Sequence, residues 1–160
     1  MSKFKIELKW AVIFIATILG WSVLEKVAGL HDKNIDMHAT FSAFFMLPAI
    51  LVYFLAIRDK KHNYYDGNMN FSHGFMAGLW VTIFVAICNP LTQWLISFVI
   101  TPEYFENVIA YSVENEMNTL EEAKAYFNYK SYVVQGTIGT LIIGIVTSVI
   151  LALLLKTRKN

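Results

Sequence analysis

The sequence predicts an all-α polytopic membrane protein: a four-helix transmembrane bundle with an outer helical hairpin between spans three and four. Three observations lead there. Hydrophobic residues fill 56% of the 160 positions and charged residues only 16%, against roughly a quarter charged in an ordinary soluble domain. The apolar residues are gathered into four blocks. The last of these, Tyr132–Leu155, holds no charged residue and is closed by Lys156, Arg158 and Lys159, the pattern of a membrane-spanning helix. The whole chain, 1–160, reads as one transmembrane domain. A formal net charge of +1 gives no argument for nucleic acid as a partner, and the single Cys88 cannot form an intrachain disulfide.

Spans are expected at about residues 10–30, 39–57, 72–93 and 132–155. Lys3, Lys5 and Lys9 precede the first apolar block, Trp10–Leu30. No small-x-small cleavage pattern follows it, so it reads as a retained span. The polar loop His31–His38 is too short for a domain, and its flanking spans form a hairpin. The second block, Ala39–Ile57, contains Pro48, which is expected to kink it. Arg58, Lys60, Lys61 and His62 close that block, and Asp66-Gly67 marks a tight turn. Ser72 can cap the third block, which continues to Ile100. Straight, that block would run about 45 Å against a hydrocarbon core near 30 Å. The span is therefore expected to end near Asn89-Pro90. His73, near its start, reads as interfacial.

Residues 101–131 are the only sizeable polar region. Thr101-Pro102-Glu103 resembles a helix start, with a cap and then proline in the first turn. Phe105, Ile109, Val113 and Met117 share an i, i+4 face. Thr119 and Glu122 are spaced as a capping box for a second helix. Two short extracytoplasmic amphipathic helices are expected, lying on the membrane surface or roofing the bundle.

The charges set an expected topology. The N-terminal tail, the segment from Arg58 to Lys61 and the C-terminal tail are basic. The 31–38 loop and the 101–131 region, with Glu103, Glu106, Glu114, Glu116, Glu121 and Glu122, are not. Four spans with both termini in the cytoplasm satisfy every segment.

Small residues recur every fourth position on two spans: Gly74, Gly78, Thr82 and Ala86, then Gly136, Thr140, Gly144, Ser148 and Ala152. Residues four apart share a helix face, and small faces let helices approach closely in lipid. Packing between these two spans is the plain use of the stripes, and a homodimer seam the alternative. Glu25 is the sharpest oddity. Counted from Lys9 it lies about 24 Å along the helix, just inside the core, where an ionisable group is a functional candidate. With Asn89, Gln93 and Gln135 it defines a candidate polar pocket, which Tyr53 could join; the plain alternative is a structural polar cluster. His31, Asp32, Asp36 and His38 crowd one loop and are weak candidates for a zinc site, because their spacing matches no zinc motif.

The segments Leu24-Glu25-Lys26, Gly29-Leu30-His31-Asp32, Tyr53–Lys60, Thr101–Phe105 and Glu121–Phe127 occur in an order that resembles a domain-of-unknown-function family, number 4199. Its members are small integral membrane proteins, mainly of Bacteroidota. The resemblance implies a multi-pass protein of the bacterial inner membrane, and it carries no catalytic residue, cofactor or substrate over to this chain. No phosphate loop, His-Glu-x-x-His or nucleophile elbow is present. The leading expectation is a non-catalytic accessory or interaction component with lipid and a membrane protein as partners. A dimeric small-solute or proton-coupled transport component using Glu25, and a metal-dependent enzyme using the outer His/Asp loop, are the alternatives. No cofactor is expected.

Overall fold

A computed structural model describes residues 4–157. Lys3, Arg158 and Lys159, three of the charges behind the expected topology, lie outside the described residues. The protein is all-helical, with four long apolar helical stretches: Lys5–Val27, Ile35–Asn63, Phe71–Ile100 and Tyr129–Leu155. They comprise α1 (Lys5–Val27), a 3-10 turn (Ile35–Met37) with α2 (His38–Ala43) and α3 (Met46–Asn63), α4 (Phe71–Trp94) with a π-helical end (Leu95–Ile100), and α7 (Tyr129–Leu155). Between the third and fourth stretches sit α5 (Tyr104–Glu114) and α6 (Leu120–Tyr126). Large apolar side chains such as Val12, Ile87, Leu91, Ile142 and Leu154 stay exposed along these helices, as lipid-facing positions do.

The chain divides into two compact units. The first takes the described residues of Met1–Thr17, Met46–Cys88 and Thr137–Asn160. Its seam is made by the two small-residue stripes. Gly74 faces Ala152, Gly78 faces Ser148, and Gly144 faces Thr82 and Tyr53. A Cβ at Gly144 would lie 2.5 Å from Thr82 Oγ1 and 2.7 Å from the Tyr53 hydroxyl. The hydroxyls in the seam are satisfied locally. Ser148 Oγ donates to Gly144 O at 2.6 Å and Thr82 Oγ1 to Gly78 O at 3.0 Å, the back-bonding open to Ser and Thr in helices. Tyr53 from α3 joins Thr82 at 2.7 Å, and Phe14 of α1 meets the Tyr53 ring edge-on at 5.4 Å. Lys61 Nζ donates to Leu155 O at 2.8 Å, satisfying a carbonyl at the end of α7. Asp66-Gly67 makes the expected turn, with both residues at positive φ.

The second unit takes Ile18–Phe45 and Asn89–Gly136. It holds the end of α1, the 31–38 loop, α2, the end of α4, α5, α6 and the start of α7. The Thr119 capping box forms as its spacing predicts: Glu122 N donates to Thr119 Oγ1, and Thr119 N donates to Glu122 Oε2.

Several boundaries differ from expectation. Pro48 does not kink a helix interior. It falls in the first turn of α3, after a break at Phe44 and Phe45, where its missing N–H costs nothing. Asn70, not Ser72, caps α4, accepting from His73 N at 2.9 Å. The helix does not break at Asn89-Pro90: α4 runs through Pro90 to Trp94, close to the expected bound at 93, and continues as a π-helix to Ile100. Pro90 lacks the N–H that would bond Ala86 O, a loss that membrane helices tolerate; its own carbonyl accepts from Tyr129 Oη at 3.0 Å. Thr101 closes the π-helix instead of capping α5; both its N–H and its hydroxyl donate to Ile96 O. The inward face of α5 is Tyr104, Val108 and Ser112, not the Phe105, Ile109, Val113, Met117 stripe. Tyr104 and Ser112 find hydrogen-bond partners inside the unit, which a count of apolar residues does not register.

The seam generates a test. Gly144→Leu places a side chain where Thr82 and Tyr53 already stand, and we expect it to destabilise the folded protein by at least about 2 kcal/mol. Gly20→Ala, where nothing lies within 4 Å of the added carbon, should be neutral or slightly stabilising. Thermal melts of the two variants in the same detergent measure the contrast.

Candidate metal centre

The centre begins with the way α1 ends. Leu30 N donates to Glu25 O and Gly29 N to Lys26 O, at 3.0 and 2.9 Å. Together these bonds make a Schellman motif with Gly29, at φ +72, in the left-handed position. Asn34 Nδ2 satisfies a further carbonyl, Ala28 O, at 2.8 Å. The motif reverses the chain within one turn and buries Leu30 and His31 beside the helix they have just left. The 3-10 turn then leads into α2, where His38 and Ser42 stand four apart on one face.

Glu25 is only 6% exposed, and both its oxygens are engaged. Oε1 accepts from Trp21 Nε1 at 2.9 Å and from Ser42 Oγ at 2.5 Å. Oε2 faces two imidazoles, with His31 Nε2 at 3.5 Å and His38 Nε2 at 3.9 Å. Ligand atoms of Glu25, His31 and His38 all lie within 4.8 Å of one another. His31 is 8% exposed, and its Nδ1 is buried with no hydrogen-bond partner among the described residues.

Three rings pack around the carboxylate. His31, His38 and Tyr104 have pairwise centroid distances of 5.1 Å. The Tyr104 hydroxyl reaches His38 Nδ1 at 3.4 Å and Tyr132 Oη at 3.0 Å. Burial, with Tyr132 alongside, pushes the Tyr104 phenol well above its usual range, so it stays a neutral donor and acceptor at any working pH. Asn107 Nδ2 donates to His31 O at 2.9 Å, and Lys26 Nζ donates to Ile100 O. On the other side Trp21 stacks on Phe41. A small cavity of about 140 Å³ opens beside His31, edged by Lys26, Asp32, Glu103 and Tyr104.

One carboxylate and two imidazoles form a donor set that zinc takes in sites keeping a further position open. In a tetrahedral zinc site neighbouring ligand atoms stand roughly 3.3–3.5 Å apart, given zinc bonds of about 2.0–2.2 Å. The His31–Glu25 separation already matches. His38 Nε2, at 3.9 Å from Glu25 Oε2, stands a few tenths of an ångström wider. Trp21, Ser42 and Tyr104 orient the ligands from behind, as outer-shell partners do.

The residues singled out from sequence are distributed differently. Glu25 sits with His31 and His38. Asp32 and Asp36 are exposed, and Asp32 Oδ1 accepts from Lys33 N instead. Asn89 Nδ2 donates to Val133 O at 3.0 Å beside Gly136. Gln93 Nε2 bonds Ser97 within its own helical run, and Gln135 Nε2 bonds Ser131 within α7. Tyr53 bonds Thr82. Trp21, Ser42, Tyr104 and Tyr132 were not singled out. Trp21 and Ser42 carried a legible signal, standing four residues from Glu25 and from His38. Tyr104 and Tyr132 are distant in sequence and carried none.

Replacing Gly29 tests how the centre is positioned. Gly29→Ala forces an L side chain into positive φ, at a cost of about 1 kcal/mol, and its carbon would meet Lys33 at 2.6 Å. We expect faster amide hydrogen exchange in residues 28–38 than in α7, read by mass spectrometry.

Comparison with known proteins gives one match. A family model described as a protein of unknown function, DUF4199, covers residues 9–157. No curated protein and no solved structure matches the chain.

Proposed function

We propose that this chain, which belongs to the DUF4199 family, is a non-catalytic membrane protein that holds a divalent transition-metal ion at Glu25, His31 and His38. Zinc suits the donor set best. The convergence of three ligating side chains within 4.8 Å of one another, on α1, the following loop and α2, carries the reading. Buried carboxylates in membrane proteins pair with a cation or mark a functional site, and His31 Nδ1 has no hydrogen-bond partner among the described residues. The ion would tie α1 to α2 and, through the Tyr104 contact with His38, fix where α5 lies. Metal occupancy would then set the form of the α5–α6 segment that a membrane partner meets, which is the accessory role.

The setting is the bacterial inner membrane with both termini in the cytoplasm. Its support is the basic character of the tails and of the Arg58–Lys61 segment. A fluorescent reporter fused after Asn160 should be bright, since its fold matures on the cytoplasmic side. A phosphatase fused there and active only outside would reverse the orientation.

Isothermal titration of the purified protein with zinc chloride tests the centre. One ion per chain is expected, with affinity at least tenfold lower in Glu25→Gln and binding abolished when His31→Ala and His38→Ala are combined. Zinc should also raise the melting temperature of the wild type but not of the double variant. An unchanged isotherm in the double variant sinks the reading.

A further inference from the structure

A second site lies in the other unit, independent of the Glu25 centre. Glu7 and Lys60 form an ion pair at 2.8 Å, and both residues are almost wholly buried, at 3% and 4% exposure. Each sits where its helix favours it: Glu7 in the first turn of α1 and Lys60 in the last turn of α3. Taking such a pair out of water costs more than an apolar replacement unless its remaining hydrogen-bonding capacity is met. Glu7 Oε2 is buried with no partner among the described residues, and so is His73 Nδ1. Both residues line a cavity of about 190 Å³.

The rest of that cavity is aromatic and apolar. Phe4 and Trp80 meet edge to face at 4.7 Å on one side. Tyr65 stacks flat on His73 at 4.2 Å, and Lys60 Nζ lies 3.8 Å from the centre of the Tyr64 ring. Ala77 closes the floor at 4% exposure, while Tyr64 and Met76 are exposed at the rim.

These features define an occupant. Glu7 and Lys60 already neutralise each other at 2.8 Å, so the occupant is neutral. Glu7 Oε2 lacks a donor and His73 Nδ1 a partner of either kind, and a hydroxyl, which both donates and accepts, meets either need. An apolar cavity of about 150 Å³ holds benzene, so this one holds a single ring with a small substituent. Flat walls favour an aromatic ring. We propose that the Glu7–Lys60–His73 cavity binds a phenol or hydroquinone ring, its hydroxyl donating to Glu7 Oε2 and its ring packed between Phe4, Trp80 and Tyr65. A ring free in water and the head group of a lipid-soluble quinol present the same chemistry to the site.

Saturation-transfer NMR with phenol on the full chain in detergent is the test. Saturable binding is expected in the wild type. Ala77→Leu, which fills the floor without touching the ion pair, should remove it. Toluene, with the ring but no hydroxyl, should bind at least tenfold more weakly. Equal signals from wild type and Ala77→Leu would mean partition into the micelle and overturn the proposal; toluene binding as well as phenol would overturn it too, since the hydroxyl would then contribute nothing. Should Ala77→Leu fail to fold, a diazirine-bearing phenol on the wild type decides: label on peptides holding Met76 and Trp80 supports the site, and label confined to lipid-facing positions such as Ile142 overturns it. With protein in nanodiscs, tighter binding of decylhydroquinone than of hydroquinone identifies the lipid-soluble source, and equal binding the free one.

Discussion

A carboxylate buried at the end of a membrane helix has to be satisfied, and the second unit is arranged around doing that for Glu25. Leaving such a charge unpaired costs several kcal/mol, of the order of 5. Every nearby element supplies something. α1 itself offers Trp21 one turn back. α2 offers Ser42 and His38, and the Schellman turn returns His31. α5 then lays Tyr104 against both imidazoles and anchors to the His31 carbonyl through Asn107. α5 is thus held by polar contacts to the Glu25 surroundings as well as by apolar burial.

The first unit obeys a different constraint. Lipid provides no hydrophobic force between helices, so cohesion comes from close packing and from hydrogen bonds within the seam. Small residues on α4 and α7 allow the approach, and their hydroxyls bond back to their own helices. Here too a charge is buried, but the answer is direct: Glu7 meets Lys60. The two units therefore show two solutions for an acid on α1, one by a lysine and one by two histidines.

Much of the fold was legible because it depends on composition and period. Long uncharged blocks gave the four spans, four-residue spacing gave the stripes that meet, and Thr119 with Glu122 gave the cap. Reading failed where a polar contact outweighed a propensity. Pro90 suggested a helix end, yet the helix continues through it. Thr101 suggested a helix start, yet it terminates the π-helix. The apolar stripe of α5 is not its buried face, because Tyr104 and Ser112 turn inward with hydrogen-bond partners. The centre was legible only in pieces. His31 and His38 were grouped with Asp32 and Asp36, their neighbours in sequence, and Glu25 with the amides of Asn89, Gln93 and Gln135. Only the reversal at Gly29 brings Glu25 back to the histidines, and the backbone course of that reversal is not visible in residue spacing.

X-ray absorption at the zinc edge, on protein purified with the metal it retains, tests the central claim most directly. Coordination by a carboxylate and two imidazoles predicts nitrogen and oxygen neighbours at about 2.0–2.2 Å, with the outer-shell scattering of two imidazole rings that is lost in the His31→Ala, His38→Ala double variant. Protein without stoichiometric metal, or a spectrum the double variant leaves unchanged, would contradict it.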